Sequence, residues 1–184
     1  MTTHACTVTI HMASGLGGFS ALTGGDWSWL ETADSDENGV AEENGEEFLE
    51  IIDCDVVGSR TSEPARQLGW PYGSTAAIVL THQHLPAERS SVAFSSGDRG
   101  SLVNDQLGPP DGNVRLAAGA ALTRDIIRSR LADEIRLSIV PIILGGDTPS
   151  FDDSGQEVEL LHLDGAKAYR SGFVEVRYGI RRRP

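Results

Sequence analysis

Alternation of apolar and polar residues along the chain predicts most of its strands. Residues 7–12 alternate and predict a first strand, while the continuous apolar run 76–80 is typical of a strand covered on both faces. Two longer alternating segments, 158–163 and 173–178, are joined by a short glycine-containing stretch and predict an antiparallel hairpin at the edge of a sheet. Shorter apolar segments predict further strands at 55–57, 92–94, 114–117 and 135–140.

Segments with the apolar spacing of a helix lie between most of these predicted strands. The predicted helices cover residues 46–52, 62–68, 97–107 and 121–129. Because strands and helices alternate, the pattern favours an α/β fold of three layers, with a mostly parallel central sheet between helices. No internal repeat and no linker-like stretch divides the 184 residues, so we interpret 1–184 as one domain.

Net charge and hydropathy indicate which kinds of binding partner and which cellular location to expect. The formal net charge is -12 and Lys167 is the only lysine, so we expect no binding to nucleic acid or to an anionic membrane surface. No apolar run approaches membrane-spanning length and the first residues lack the layout of a signal peptide, which predicts a cytoplasmic protein. His82 and His84 would share one face of an extended strand, but no third ligand has suitable spacing, so no metal site is expected.

A candidate anion site lies between the predicted strand 55–57 and the helix that follows it. Its residues are Gly58, Ser59, Arg60 and Thr61. Backbone amides at a helix start, the Thr61 hydroxyl and the Arg60 guanidinium suit a pyrophosphate or a 2′-phosphate. The alternative is structural, because a glycine followed by a small polar cap is common at any strand-to-helix turn.

Two further strand ends have the composition of a nucleotide site. Small residues before the helix 121–129 would let a dinucleotide approach the backbone and the helix amides. A histidine that ends the strand 76–80 would suit a phosphate or would simply face solvent. The candidate residues are Thr81, His82, Ala118, Gly119, Ala120 and Leu122.

Aromatic residues in two polar segments are candidates for stacking on a flat heterocycle. Trp27 and Trp29 follow a glycine-rich loop, and either is equally suited to anchor that loop. Trp70 and Tyr72 flank a proline in the second segment.

Residues 118–124 and 131–146 together resemble the end of the reductase domain of the dihydrofolate reductase superfamily, in the branch related to the C-terminal domain of the riboflavin-pathway deaminase-reductase. Gly58 and Thr61 match the family pattern Gly-Arg-x-Thr, residues 25–30 resemble Gly-Asp-x-Asp-Trp-Leu, and 15–19 resemble Ser-Leu-Asp-Gly-Phe. The chain departs from the family in three places, where Ser59 replaces an arginine, Gly17 an aspartate and Ala118 a glycine.

The resemblance implies a dihydrofolate-reductase-like fold, a homodimer, and NADPH as cofactor. It implies hydride transfer to a small heterocycle, either an aminouracil-like riboflavin precursor or a pterin. It brings Phe19 to the substrate side, and it implies that Trp70 and Tyr72, in a segment that also resembles the family, line the substrate or a dimer contact. A carboxylate on the first helix handles the substrate in dihydrofolate reductases, which makes Glu46 and Glu47 the candidates here. The chain has no deaminase zinc motif, so only the reductase step is expected. The alternative is a non-catalytic nucleotide-binding or interaction protein on the same fold.

Overall fold

The computed structural model contains ten strands and two helices within the part of the chain that it describes. That part comprises residues 7–22, 28–29, 45–59, 61–62, 65, 70, 72–81, 89–96, 112–145, 148–151, 159–170 and 172–180. The strands are β1 Val8–Gly15, β2 Phe19–Ala21, β3 Cys54–Gly58, β4 Ala76–Leu80, β5 Val92–Ser95, β6 Val114–Ala117, β7 Glu134–Val140, β8 Thr148–Pro149, β9 Leu161–Ala168 and β10 Val174–Ile180. The helices are α1 Gly45–Glu50 and α2 Ala120–Arg128.

Eight strands form one sheet in the order β5-β4-β3-β6-β1-β7-β10-β9. The first six are parallel, and β10 is antiparallel to both of its neighbours, β7 and β9. The mostly parallel sheet with an antiparallel hairpin at its edge is therefore confirmed. A separate pair formed by β2 and β8 was not predicted, because two short segments far apart in sequence carry no periodic signal.

The two helices cover opposite faces of the sheet. Leu122 and Ile126 of α2 pack into an apolar cluster that includes Ile10 of β1. Phe48 of α1 instead contacts His11, the next residue of β1. Because successive side chains of a strand point to opposite faces, these contacts establish three layers. Neither described helix has the length and apolar content needed to cross a bilayer.

Some predicted boundaries were wrong. The strand predicted at 158–163 is β9, which begins at Leu161 and continues through Asp164 and Gly165 to Ala168. Those two residues have low strand propensity, but pairing with β10 keeps the backbone extended, with one register irregularity beside Arg177 and Tyr178. The run 76–80 is covered less evenly than predicted, since its side chains alternate between buried and more accessible. The helix predicted at 97–107 lies outside the described residues.

A buried ion pair joins two central strands. Asp55 of β3 and Arg115 of β6 are register partners, and the guanidinium Nε donates to Asp55 Oδ1 at 2.6 Å. Asp55 is completely buried and its Oδ2 has no hydrogen-bond partner. Burial raises the pKa of Asp55, although the hydrogen bond and the charge of Arg115 act in the opposite direction. The Arg115 guanidinium also lies over the ring of Tyr72, 5.1 Å from its centroid.

Removing one partner of this pair should destabilise the fold strongly, because the other charge stays buried. We expect Arg115→Met to lower the free energy of unfolding by about 3–5 kcal/mol, measured by urea denaturation. Arg124→Met is the control, since Arg124 and Asp125 form a partly exposed pair whose loss should cost less than about 1 kcal/mol. Replacing both buried partners, by Asp55→Leu with Arg115→Met, should recover much of the loss. Equal losses of unfolding free energy in Arg115→Met and Arg124→Met would contradict this role of burial.

Candidate active site

Three of the turns proposed from the sequence lie side by side at one edge of the sheet. In the parallel register Gly58 pairs with Leu80, and Val57 pairs with Ala117. The residues that end β3, β4 and β6 are therefore neighbours at the carboxyl edge, and a Cβ added to Gly58 would lie 3.8 Å from the Cβ of Ala118. The three candidate turns therefore converge. Open α/β sheets bind ligands at this edge.

The start of α2 faces open space at this edge. Gly119 is the N-cap residue in an extended conformation, no side chain caps the helix, and its first turn has no acidic residue. The carbonyl of Gly119 accepts hydrogen bonds from the amides of Leu122 and Thr123, both at 3.1 Å. Among the described residues, a Cβ added to Gly119 would meet no atom within 4 Å. No described side chain compensates the positive end of the helix dipole, which suits an anion.

The side chains of several candidate cofactor residues pack inside the protein and support the turns, instead of pointing towards the proposed cofactor. The side chain of Leu122 belongs to the apolar core. Thr61 and Thr81 are buried, and the Thr81 amide donates to the carbonyl of Ser95 at 2.9 Å. The carbonyl of Ser59 accepts a hydrogen bond from the Ser62 hydroxyl at 2.8 Å. Arg60 and His82 lie outside the described residues.

Two aromatic candidates reach the same edge, beside the ends of β1 and β7. Phe19 and Trp29 pack in an apolar cluster around Val140 and Leu144. Trp29 is buried and its Nε1 has no hydrogen-bond partner. This placement matches the alternative in which Trp29 anchors the loop, and it leaves the half-buried Phe19 more accessible. Trp27 lies outside the described residues.

Trp70 and Tyr72 do not join this group. Both precede β4, so they lie towards the amino ends of the parallel strands, whereas Thr81 follows the same strand at its carboxyl end. Trp70 packs with Val57 and its neighbours and meets Tyr72 edge to face, with ring centroids 5.0 Å apart. Their described contacts are structural, since Tyr72 supports the buried ion pair.

Helix α1 carries both carboxylate candidates. Glu46 and Glu47 are helical residues directly before Phe48, and their side chains lie outside the described part. The Phe48 ring meets His11 of β1 edge to face at 5.3 Å, and the Arg136 guanidinium lies 4.1 Å from its centroid. These contacts place α1 over β1 and β7 at the register pair His11 and Arg136, four residues before the carboxyl ends of the two strands.

His11 is a site residue that the sequence did not single out. Burial, followed by the charges of Arg115 and Arg136, lowers its pKa to about 3. The imidazole is therefore neutral at physiological pH and serves as an uncharged polar group beneath α1. A polar residue inside a strand of apolar neighbours was the available signal, but alternation alone treats such a residue as solvent-facing.

Comparisons with known proteins agree with this geometry. The family model described as RibD C-terminal domain matches residues 100–174. The uncharacterized protein YwjB of Bacillus subtilis (strain 168) is 24% identical over 172 residues, which cover 92% of this chain and 95% of YwjB.

Two solved structures share the fold. A protein from Shewanella sp. PV-4 that carries a riboflavin-biosynthesis name superposes with a TM-score of 0.81 at 19% identity, over 96% of this chain and 99% of its own. The resemblance to the RibD reductase domain is confirmed. RibD of Acinetobacter baumannii has a TM-score of 0.70 at 15% identity, over 98% of this chain and 59% of the RibD chain. At these identities the two structures show the fold alone, and the reaction requires its own evidence.

His11 should make stability depend on pH. Its folded-state pKa is about 3, below the unfolded value near 6.5, so between these values the unfolded state binds more protons and stability falls as pH falls. We expect a slope of up to about 1.4 kcal/mol per pH unit below the unfolded pKa, measured by urea denaturation at several pH values. His11→Gln should flatten this slope. His162→Gln, at a histidine whose side chain is 61% exposed, is the control and should keep it; equal slopes in all three proteins would contradict the prediction.

Proposed function

We propose that this protein is an NADPH-dependent reductase of a small heterocycle, either an aminouracil-like riboflavin precursor or a pterin, and that it acts in the cytoplasm. The observation that carries the proposal is the alignment of the turns after β3, β4 and β6 at one sheet edge, beside the open start of α2. The family model and the name of the Acinetobacter baumannii protein support a reductase of the RibD type.

The described residues fit a dinucleotide at this edge. Gly119 has free space in front of it, and the amides at the start of α2 would hold the pyrophosphate. Gly58, with Arg60, would receive the 2′-phosphate, and His82 would border the adenosine. The buried Thr61 and Thr81 would hold these two turns in place. Bound NADPH supplies the hydride, so the protein has to orient the heterocycle and provide a proton.

The substrate side of the proposed site lies between α1 and the ends of β1 and β7. Phe19, with Trp27, would border the heterocycle, Trp29 would anchor their loop, and Glu46 or Glu47 on α1 would deliver the proton. Trp70 and Tyr72 are left out of this proposal because their described contacts lie at the other end of the strands.

The direct test is to mix the purified protein with NADPH and candidate heterocycles and to follow absorbance at the nicotinamide band. A ribosylaminouracil, its 5′-phosphate and dihydrofolate separate the two substrate classes. Oxidation of NADPH that depends on one of them supports the proposal. Absence of NADPH binding by tryptophan fluorescence would reject it.

Gly119→Asp should block NADPH without harming the fold. The position has an ordinary φ of -70° and open space, and aspartate is a favourable N-cap residue, so the melting temperature should stay the same or rise. Its carboxylate would occupy the phosphate position, and we expect NADPH affinity to fall by tenfold or more, roughly 1.4 kcal/mol, in a fluorescence titration. Gly119→Asn is the control, because it has a similar shape and cap but no charge. Equal affinities for the two variants would argue against phosphate binding at α2.

Arg60 should discriminate NADPH from NADH. A guanidinium against the 2′-phosphate makes charge-assisted hydrogen bonds that NADH does not offer, each worth about 1.5–3 kcal/mol. We expect Arg60→Ala to weaken NADPH by roughly tenfold or more and to leave NADH affinity unchanged, in parallel titrations. A uniform effect on both cofactors, or no effect, would remove Arg60 from the site.

A non-catalytic nucleotide-binding protein is the second candidate, and Ala118 is the observation that favours it. Its methyl group lies 3.8 Å from the position that a Cβ on Gly58 would take, and the resembling family has glycine in place of Ala118. Binding of NADPH without turnover of any heterocycle supports this candidate. Gain of turnover in Ala118→Gly would show that the methyl group is the cause.

We also propose that the protein forms a homodimer. Leu161 and Leu163 of the edge strand β9 are 41% and 52% exposed, and Phe151 nearby is 39% exposed. Apolar side chains grouped on an edge strand suit a second copy of the chain. Light scattering after gel filtration measures the mass, and a monomer at micromolar concentration would contradict the proposal.

A further inference from the structure

Helix α1 is too short to hold its own position. It contains six residues, and helices of this length are unstable in water without tertiary contacts. Its C-terminal end is tied to the turn before β6, where Asn113 Nδ2 donates to the carbonyl of Ile51 at 3.0 Å. Within the described residues, the contact of the helix itself with the sheet runs through Phe48, which is 6% exposed.

The Phe48 ring contacts polar side chains from two strands. His11 of β1 meets the edge of the ring, with centroids 5.3 Å apart and planes at 76°. The Arg136 guanidinium of β7 covers the ring with its carbon 4.1 Å from the centroid. Both contacts are directional, because an aromatic ring has a negative face, which attracts a cation, and a positive edge, which favours edge-to-face contact with a second ring.

Arg136 is itself fixed by carboxylates. Its Nε donates to Glu134 Oε1 at 3.0 Å, and one terminal nitrogen lies 3.7 Å from Glu175 Oε1 on β10. Its side chain is only 15% exposed. A guanidinium held on two sides has little freedom to leave the ring, so the position of Phe48 is coupled to three adjacent strands.

We propose that Arg136 is a positioning residue for the reduction, which holds α1 over β1 and β7 through Phe48. The inference rests on the proposed function, since α1 matters to the reaction because it carries Glu46 and Glu47. A planar cation suits this role, because the guanidinium keeps its charge and can lay a flat surface on an aromatic ring, whereas the ammonium of lysine is a compact point charge.

Arg177 provides a matched control. It is an arginine on the adjacent strand β10 and shares Glu134, at 3.8 Å from Oε2, but it is 43% exposed and has no described contact with Phe48. Arg136→Met and Arg177→Met therefore remove the same charge from the same cluster, and only the first removes the stacked cation.

Amide hydrogen exchange tests the docking without reference to activity. We expect the amides of residues 48–50 to exchange at least about fivefold faster in Arg136→Met, and to be unchanged in Arg177→Met. If Arg136→Met does not fold, Arg136→Lys and Phe48→Leu replace it, and both should show the same increase. Unchanged exchange in these variants, or an equal increase in Arg177→Met, would overturn the proposal.

Kinetics test the link to the reaction. With the heterocycle that the unaltered protein reduces, we expect kcat of Arg136→Met to fall roughly tenfold or more while the KM for NADPH stays the same, because the cofactor turns lie elsewhere on the edge. Faster exchange with unchanged kcat would overturn the positioning role. If the unaltered protein reduces no heterocycle, the proposed function fails, while the exchange result still decides whether Arg136 docks α1.

Discussion

Parallel pairing of the central strands is the constraint on which the rest of this structure depends. Six strands run in the same direction, so their carboxyl ends must meet at one edge whatever the loops contain. The register of β3 with β4 and β6 then makes Gly58, Thr81 and Ala118 neighbours. Three turns separated along the chain become one continuous surface, and the start of α2 opens onto it.

That constraint also explains what could be predicted from sequence. Apolar runs located the strands, and their alternation with helical segments required parallel order, so convergence of the turns followed without knowledge of any side-chain contact. The end of β9 could not be predicted in this way. Its residues Asp164 and Gly165 are poor strand formers, and the pairing that keeps them extended comes from β10.

The residues beneath α1 illustrate a second limit of sequence interpretation. Four polar residues of the strands illustrate it, namely Asp55, His11, Arg115 and Arg136. Periodicity assigns such side chains to solvent, but the structure places them on the face covered by α1, Tyr72 and Trp70. Each has a partner from another strand or helix, and such partners are invisible to a local pattern. The same limit applies to the aromatic candidates. Phe19 and Tyr72 lie at opposite ends of the strands, but the composition of the segments around them does not show this difference.

The insertion of β10 between β7 and β9 has a consequence for how the sheet is completed. Strand β9 precedes β10 in the chain, but among the described strands it pairs only with β10. During synthesis β7 therefore keeps an open edge after it emerges, and β9 has no strand to join until β10 arrives. Exposed strand edges recruit other chains, so the edge of β7 is open to aggregation until β10 has been made and has paired with it.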